Sequence, residues 1–303
     1  MEQITLNNGI KMPQVGLGTF LIPKDKLSYT IGKAYDLGYR SFDSAWRYHN
    51  EKEIIQALKE NHIPREDVFI TTKVNADALY FKRYHGGPLR YVNVQIRSIR
   101  KAIEMSFANL GGEYVDLFLV HTPWPMYPKM YKELTRVYHQ GRARAIGVSS
   151  FLPPMIESLR DVSDVVPAVN QFEISPLNTQ KKLIKWCQEK GIVAEAMSTF
   201  SHYRSNEPRR EITENPIIKP IAEKYNKSIV QIVLRWLLQQ GVVVIPKTWD
   251  ENHLLENISL FDFSLNDEEM AIIDTLDQGC FLNYDPYKAL KNVPKKYNYW
   301  KGF

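Results

Sequence analysis

Four ionisable side chains lie at or just beyond the ends of predicted strands, and their types suit proton transfer. They are Asp43, Tyr48, Lys73 and His121. A free tyrosine has a pKa of about 10, so a tyrosine that donates a proton near neutral pH needs a cation that stabilises the phenolate. Lys73 could supply that cation, and an ion pair with Asp43 would keep the lysine charged and oriented. The pattern therefore predicts a proton-transfer site built around Tyr48.

His121 could complete such a site by donating a hydrogen bond to the carbonyl oxygen of a substrate, where negative charge develops. No side chain can supply a hydride, so a reduction at this site requires a nicotinamide or a flavin. Two alternatives stay open from the residues alone. Each of the four side chains could have a purely structural role, or Lys73 could form a Schiff base in a lyase or aldolase. A lysine paired with an aspartate stays protonated and is a poor nucleophile, which favours the reductive interpretation.

These side chains must be positioned by a repeating pattern in which short β-rich segments alternate with segments of helical periodicity. The predicted strands are Val15–Thr19, Arg40–Asp43, Val68–Val74, Val115–His121, Ala143–Val148, Ala168–Phe172, Ile192–Met197 and Val242–Pro246. The predicted helices are Ser28–Leu37, Glu51–Asn61, Val94–Leu110, Tyr127–Gln140, Pro154–Val162, Thr179–Lys190, Ser228–Gln240 and Asn266–Leu276. This pattern over 303 residues predicts one α/β domain, residues 1–303, folded as a (β/α)8 TIM barrel. An active site in such a barrel forms at the C-terminal ends of the strands.

An open, doubly wound sheet is the alternative arrangement of the same units. A dinucleotide-binding sheet of that kind carries three glycines in the loop after its first strand. Here Gly16 and Gly18 flank Leu17, and the third glycine is missing. The barrel is therefore the favoured architecture.

The chain also extends beyond a minimal barrel. Segments Ile4–Leu6 and Ile10–Met12 flank Asn7-Asn8-Gly9 and predict an N-terminal β-hairpin, because an Asn-Gly pair readily adopts the positive φ of a tight turn. Such a hairpin could plug one end of a barrel. Long loops follow the third and seventh strands, at Asn75–Tyr91 and Thr199–Asn215, and connections of this length are usually functional or mobile.

An extended C-terminal tail, residues 276–303, is rich in aromatic side chains. These are Phe281, Tyr284, Tyr287, Tyr297, Tyr299, Trp300 and Phe303. Aromatic rings of this kind could wall a ligand pocket, so we expect the tail to form a loop over the substrate pocket. Packing of the tail on the surface is the alternative.

The composition argues against several classes of protein. Apolar residues make up 44% of the chain and charged residues 24%, which is typical of a globular domain with a full core. The net charge of +5 comes from scattered residues, so nucleic acid is not an expected partner. Cys187 and Cys280 lie far apart, and we expect neither a disulfide nor a metal site. Because the sequence has no secretory leader and no long apolar span, we expect a cytoplasmic protein that does not enter a membrane.

Five parts of the chain resemble, in order, the signature segments of the aldo-keto reductase family. They are Phe42-Asp43-Ser44-Ala45-Trp46-Arg47-Tyr48-His49-Asn50-Glu51, Tyr114-Val115-Asp116-Leu117-Phe118-Leu119-Val120-His121, Ala145-Ile146-Gly147-Val148-Ser149, Val169-Asn170-Gln171, and Ile245-Pro246-Lys247-Thr248 with Glu256-Asn257. The first resembles that family's Asp-Thr-Ala-x-x-Tyr-x-Asn-Glu segment. The resemblance implies a barrel enzyme that reduces an aldehyde or ketone to an alcohol with NADPH, or with NADH as the alternative cofactor. A nucleotide-sensing or partner-binding protein on the same fold is the alternative function.

The resemblance also implies roles for individual residues. The catalytic tetrad would be Asp43, Tyr48, Lys73 and His121, with Tyr48 as the proton donor. The residues expected to bind the cofactor are Gly18, Thr19, Ser149, Ser150, Gln171, Met197, Ser198, Lys247, Thr248, His253, Glu256 and Asn257. The residues expected to line the substrate pocket are Phe20, Trp46, Thr122 and Trp124. The expected partner is a small-molecule carbonyl substrate, and the aromatic residues favour an apolar or flat one. We expect a monomer because no apolar helix face is left over.

Within the cofactor set, Ser149 and Gln171 would hold the nicotinamide carboxamide, and Ser198 would lie near the pyrophosphate. Lys247 and Thr248 would contact the 2′-phosphate of the adenosine ribose, since a flexible point charge and a hydroxyl suit a phosphate.

Four residues depart from the family pattern. Ser150 replaces an asparagine that contacts the carboxamide, and Met197 replaces an aromatic ring that commonly stacks on the nicotinamide. His253 replaces an arginine at the adenosine end, which weakens the expected preference for NADPH. Thr122 replaces a substrate-facing tryptophan, for which Trp124 and Trp46 could partly substitute.

Overall fold

The N-terminal segment forms the predicted β-hairpin. The computed structural model of the chain describes residues 2–75, 98–200, 209–281 and 284–297. Strands β1 (Gln3–Thr5) and β2 (Lys11–Pro13) pair in antiparallel register. The turn between them differs from the expected Asn-Gly turn, because Gly9 has a positive φ of 84° and Asn8 does not. The amide of Gly9 donates a hydrogen bond to the carbonyl oxygen of Leu6 at 2.9 Å, so only the glycine takes the left-handed conformation in this turn.

An eight-stranded parallel sheet follows the hairpin and closes into a barrel. Its strands are β3 (Leu17–Gly18), β4 (Ser41–Asp43), β5 (Phe69–Val74), β6 (Val115–Val120), β7 (Ala143–Ser149), β8 (Val169–Glu173), β9 (Val193–Met197) and β10 (Val243–Val244). Each strand pairs with the next along the chain. The two ends of the sheet meet through hydrogen bonds from Gly16 N–H to Val244 O (2.8 Å) and from Val244 N–H to Gln14 O (2.9 Å). The predicted (β/α)8 architecture is therefore confirmed.

Helices surround the barrel, and most begin and end within a few residues of the predicted bounds. They are α1 (Lys24–Asp36), α2 (Glu51–Glu60), α3 (Ile99–Asn109), α4 (Tyr127–His139), α5 (Pro153–Ser158), α6 (Lys181–Glu189), α7 (Arg210–Thr213), α8 (Lys219–Tyr225), α9 (Ile229–Gln239), α10 (Glu251–Ile258) and α11 (Asp267–Asp274). The sequence pattern does not predict α7, α8 or α10. These helices have 4, 7 and 8 residues, which is about one to two turns, and so few residues give only a weak apolar period. None of the described helices combines the length and the apolar character that a membrane span requires.

The hairpin closes the N-terminal end of the barrel. Leu6 and Met12 pack there against inward-facing side chains of the strands, among them Phe69, Leu117 and Val193. A larger apolar cluster fills the space between the strands and the helices. Because apolar side chains occupy the hairpin end of the interior, the polar side chains that could do chemistry are left to the opposite end, at the C-terminal ends of the strands.

Several predictions fall partly outside the described residues. The long loop Asn75–Tyr91 is described only at its first residue, and Thr199–Asn215 is described only at 199–200 and from 209 onward. The predicted helix Val94–Leu110 is described from residue 98. In the tail, Tyr299, Trp300 and Phe303 lie outside the described residues.

The described part of the tail packs against the barrel as two short 3₁₀ helices, Pro286–Asn292 and Lys295–Tyr297. The side-chain amide of Asn292 donates to the carbonyl oxygen of Pro123 at 3.4 Å. Further along, the Tyr297 hydroxyl donates to a carboxylate oxygen of Asp161 at 2.9 Å. The tail thus passes beside the loop that follows β6. Its expected position over a substrate pocket stays a prediction.

Candidate active site

A fully buried ion pair lies at the C-terminal ends of β4 and β5. The Lys73 ammonium donates to both carboxylate oxygens of Asp43, at 2.6 and 2.7 Å, and to the carbonyl oxygen of Ser44 at 2.8 Å. Lys73 is 0% exposed and Asp43 is 3% exposed. The three acceptors match the three hydrogens of the ammonium, which compensates the cost of removing the charges from water.

Tyr48 lies beside this ion pair. A short 3₁₀ helix, Trp46–Tyr48, follows β4 and ends at His49, whose backbone is left-handed (φ 54°). The Lys73 nitrogen is 5.1 Å from the centre of the Tyr48 ring. The Tyr48 ring is 5.8 Å from the His121 ring and 4.7 Å from the Phe20 ring, measured between centroids. The structure therefore brings the four ionisable residues of the predicted site together.

Burial and charge act in opposite directions on the two protonated groups. Burial raises the pKa of the Tyr48 phenol, and the neighbouring Lys73 charge lowers it by less, so the net pKa is above the ordinary value. Burial is the largest single effect and by itself would lower the pKa of Lys73, but the charge of Asp43, its hydrogen bonds and the nearby Tyr48 together outweigh burial, so the net pKa is raised. The expected effect of Lys73 on the phenol is therefore present in direction but smaller than that of burial. Both groups hold their protons at neutral pH.

His121 is a neutral hydrogen-bonding group at this site. Burial, followed by the charges of Lys73 and Arg47, holds its pKa well below the ordinary value. Within the described part of the chain its Nδ1 atom is buried without a hydrogen-bond partner. A neutral imidazole with one ring nitrogen bearing hydrogen can donate to a carbonyl oxygen without carrying a charge of its own.

The ends of β7 and β8 supply polar groups next to the ion pair. Ser149 and Gln171 are register partners, and both are buried. The Gln171 side-chain amide donates to Asp43 Oδ2 at 2.9 Å, which joins it to the predicted tetrad. Ser150 has a left-handed backbone (φ 62°), and its amide donates to the carbonyl oxygen of Gln171 at 2.8 Å. The Ser149 hydroxyl is buried and has no partner among the described residues, so it is available to a ligand.

Gly18 and Thr19 follow β3 at the same end of the barrel. A Cβ on Gly18 would lie 2.8 Å from the carbonyl oxygen of Ile245, so the close approach of the two segments requires glycine. The Thr19 hydroxyl is fully buried and donates to the carbonyl oxygen of Asp43 at 2.8 Å. The Asn50 amide in turn donates to the Thr19 carbonyl oxygen at 3.0 Å. Thr19 therefore fixes the end of β4 within the protein.

The remaining predicted cofactor residues lie at the end of β9 and along the segment from β10 through α10. At β9 they are Met197 and Ser198, and along the second segment they are Lys247, Thr248, His253, Glu256 and Asn257. Burial lowers the pKa of Lys247. The Thr248 hydroxyl accepts a hydrogen bond from the amide of Asp250 at 3.0 Å, at the start of α10. Because α10 is not predicted from the sequence, its role in ordering this segment is a finding of the structure.

The predicted substrate-pocket residues differ in how much surface they offer. Phe20 is partly exposed and packs on Tyr48. The Thr122 hydroxyl donates to Asn75 Oδ1 at 3.3 Å. Trp124 packs partly buried against the core, whereas Trp46 is only 6% exposed and belongs to the core itself. Phe20, Thr122 and Trp124 therefore have the surface for a substrate contact, and Trp46 has little.

Two features near the site are absent from the predictions. Glu195, on β9, is fully buried and accepts a hydrogen bond from Gln171 at 2.6 Å. Trp249 has the Lys247 nitrogen 4.8 Å and the Lys26 nitrogen 5.8 Å from its ring centre. In β9, Val193-Ala194-Glu195-Ala196-Met197, Glu195 is an acid within an apolar strand, which is a signal that the sequence offers. It lies two residues before the strand end, whereas the predicted site was built from residues at the strand ends.

Comparison with known proteins gives a consistent result. A model of the aldo/keto reductase family matches residues 14–278. Morphine 6-dehydrogenase of Pseudomonas putida is 37% identical, over 93% of this chain and 94% of its own. Glyoxal reductase of Bacillus subtilis is 36% identical, over 95% of this chain and 98% of its own. A crystal structure of an aldo-keto reductase from Bombyx mori in complex with NADP is similar with a TM-score of 0.80 and 30% identity, over 97% of each chain.

Proposed function

Because this chain belongs to the aldo/keto reductase family, we propose that it reduces aldehydes or ketones to alcohols with NADPH at the site around Tyr48. The observation that carries the proposal is the position of the Tyr48 phenol beside the buried Lys73–Asp43 pair, with His121 next to it. Glyoxal reductase supports the reaction, and the NADP complex from Bombyx mori supports the cofactor.

The residues present fit a nicotinamide at the rim of the barrel. The Ser149 hydroxyl is a buried polar group with no partner in the part of the chain that the structure describes, and it lies beside Gln171 on the neighbouring strand. The carboxamide of a nicotinamide could form hydrogen bonds with both side chains, because it carries a donor and an acceptor on one planar group. When bound, the cofactor supplies the hydride that no side chain can provide.

The chain's own residues manage the proton. The Tyr48 hydroxyl would give its proton to the carbonyl oxygen of the substrate as negative charge develops there. Lys73 would stabilise the phenolate that remains, and Asp43 holds the Lys73 ammonium in place. His121 would donate a hydrogen bond to the same carbonyl oxygen and so orient the substrate toward Tyr48.

The adenosine end supports a preference for NADPH. Lys247 and Thr248 precede α10 and could bind the 2′-phosphate as a charge and a hydroxyl. Exposed His253 stands where the family has an arginine, so we expect the preference over NADH to be smaller than an arginine would give.

The rival functions are less well supported. A Schiff base on Lys73 requires a neutral amine, whereas Lys73 donates three hydrogen bonds and has a raised pKa. A nucleotide-sensing protein without turnover would have no need of Tyr48, Lys73 and His121 in this arrangement. Borohydride in the presence of a carbonyl substrate should leave the protein mass unchanged, since it traps an imine only.

A substrate panel tests the proposed function. The assay measures loss of NADPH or NADH absorbance with glyoxal as the small carbonyl and a polycyclic ketone as the large one, following the two relatives' names. We expect turnover with at least one carbonyl and faster turnover with NADPH than with NADH. Absence of turnover with both cofactors across the panel would contradict the proposal. We further propose a cytoplasmic monomer, which light scattering of the purified protein and localisation of a tagged copy would check.

A further inference from the structure

We propose that Glu195 is a positioning residue of the proposed reductase, which in its protonated form anchors Gln171 and on losing its proton restrains proton release from Tyr48. The proposal rests on the proposed function, because it concerns the same reaction. It names a residue outside the predicted tetrad and outside the predicted cofactor set.

A hydrogen-bonded chain of side chains runs across the barrel interior. Glu195 on β9 and Gln171 on β8 are register partners. The Gln171 side-chain nitrogen donates to Glu195 Oε2 at 2.6 Å and to Asp43 Oδ2 at 2.9 Å. One amide therefore joins two carboxyl groups, and the second of these holds Lys73. A change in the position or charge of Glu195 therefore affects Asp43 through the side chain of Gln171.

The buried cluster contains more acidic groups than cations. Two carboxyl groups face one ammonium, that of Lys73, so ionising both would leave an uncompensated negative charge away from water. Asp43 accepts two short hydrogen bonds from Lys73, whereas Glu195 Oε1 is buried without a partner among the described residues. The charge therefore belongs to Asp43 and the proton to Glu195. Burial, and then the charge of Asp43, raise the pKa of Glu195 to about 8.

Groups on three other strands act on Glu195. Asp43 on β4 raises its pKa, and Lys73 on β5 and Gln171 on β8 lower it. Glu173, two residues further along β8, has Met197 as its register partner. On β10 the register partner is Val243, which carries no charge. Glu195 thus titrates against the ion pair that stabilises the Tyr48 phenolate.

The consequence concerns the reverse reaction most directly. Oxidation of an alcohol requires the Tyr48 phenolate as base, whereas reduction requires the protonated phenol. A negative charge near Tyr48 raises the pKa of the phenol, as Asp43 already does. Ionised Glu195 adds a second negative charge to the Asp43–Lys73 pair, to which Gln171 joins it. In the wild-type protein the phenolate beside that pair should therefore form at a higher pH than it would if Glu195 stayed neutral.

Glu195→Gln tests this because an amide has the shape of the protonated acid and cannot ionise. Rates of carbonyl reduction and alcohol oxidation are measured from about pH 6 to about pH 10 for the wild type, Glu195→Gln, Glu195→Asp and the control Glu269→Gln. Glu269 is a buried acid on α11, where it pairs with Lys224 away from the barrel interior. Circular dichroism and NADPH binding verify that each variant is folded.

We expect Glu195→Gln to reduce carbonyls at about pH 7 within roughly threefold of the wild type, because the protonated carboxyl of Glu195 and the amide that replaces it are both neutral at that pH. At about pH 9 it should oxidise alcohols about threefold or more faster than the wild type, and its oxidation rate should begin to rise at a lower pH. Glu195→Asp should restore the pH dependence of the wild type, and Glu269→Gln should leave that pH dependence unchanged.

Superimposable profiles for the wild type and Glu195→Gln would overturn the proposal. So would a loss of more than about tenfold at about pH 7 in a folded variant that binds NADPH, because the ionised form would then be required. A readout without turnover is the tyrosinate absorbance of each protein minus that of its Tyr48→Phe counterpart. It should show a lower phenol pKa in Glu195→Gln, and an unchanged value would also refute the proposal. Failure of the proposed function is separate, since the wild type itself would then turn over no carbonyl.

Discussion

Two buried aspartates show how one residue type serves different purposes at the two ends of the same barrel. Asp43 ends β4, and its partner Lys73 is 0% exposed. Asp116 lies near the start of β6 and accepts hydrogen bonds from Arg65 (2.8 Å), Arg144 (2.8 Å) and the amide of Ile70 (2.9 Å). The side chains of Arg65 and Arg144 are 20% and 45% exposed.

The difference lies in the partner cation. The guanidinium groups at Asp116 reach solvent, and that of Arg65 also stacks on the ring of Tyr114, 4.2 Å from its centre. This cluster tethers β6 to its surroundings. The ammonium at Asp43 is sealed from solvent and lies beside a phenol. A charge held in a dry site interacts strongly with its neighbours, so the second cluster acts more strongly on the proton affinity of a neighbouring side chain. Burial of an aspartate alone therefore does not indicate chemistry, whereas burial of its cation beside a titratable group does.

The largest expected effect is at Tyr48. Replacing it by phenylalanine removes only the hydroxyl, so reduction should fall by about 10²-fold to 10⁴-fold, while the dissociation constant for NADPH stays within about threefold. Stopped-flow reduction and fluorescence titration with NADPH measure the two quantities. A variant that reduces the substrate at the wild-type rate would show that the ion pair serves no proton donor.

Lys73→Met should destabilise the fold and also impair reduction. It leaves Asp43 buried without its cation, and breaking a buried pair in this way costs about 3–5 kcal/mol in the free energy of unfolding. Urea denaturation of the variant and the wild type measures this loss. An unchanged unfolding free energy would show that Asp43 is neutral in the folded protein and would remove the contrast with Asp116.

Asp116→Asn should affect stability and spare activity. The amide keeps the shape of the side chain but loses charge-assisted hydrogen bonds, so unfolding should become easier by about 1–3 kcal/mol. The value of kcat/KM should stay within about twofold, because the tetrad lies at the opposite end of the strands. A fall in kcat/KM at full folding would mean that the two clusters are coupled.

Arg144→Met is the matched truncation for Lys73→Met and should have the smallest effect. Arg144 is 45% exposed, and Asp116 keeps Arg65 and the amide of Ile70 as partners. The free energy of unfolding should fall by less than about 1 kcal/mol, as for other exposed ion pairs. The same urea series compares it directly with Lys73→Met. Equal losses in the free energy of unfolding would mean that burial of the cation makes no difference to what the ion pair contributes.

Much of the fold follows from the sequence because the barrel repeats one pattern. Every predicted strand overlaps an observed one, and Asp43, Lys73 and His121 lie near strand ends where their local sequence puts them. Glu195 could not be assigned in this way, since its importance depends on the register that sets it beside Gln171. The burial of Trp46 and the formation of α10 depend likewise on contacts between distant segments. Local pattern thus locates the strand ends, and the pairing of strands decides what meets there.

The barrel is sealed where its shortest strands meet. β3 and β10 have two residues each, and the hydrogen bonds that join them run between residues 14–18 and 244–246. Gly18 and Lys247, both expected to contact the cofactor, belong to this seam or adjoin it. A ligand that contacts both edges would hold together the part of the barrel whose strands are shortest. Binding of the nucleotide would then stabilise the closed barrel, and a barrel that opens at this seam would bind the nucleotide less tightly.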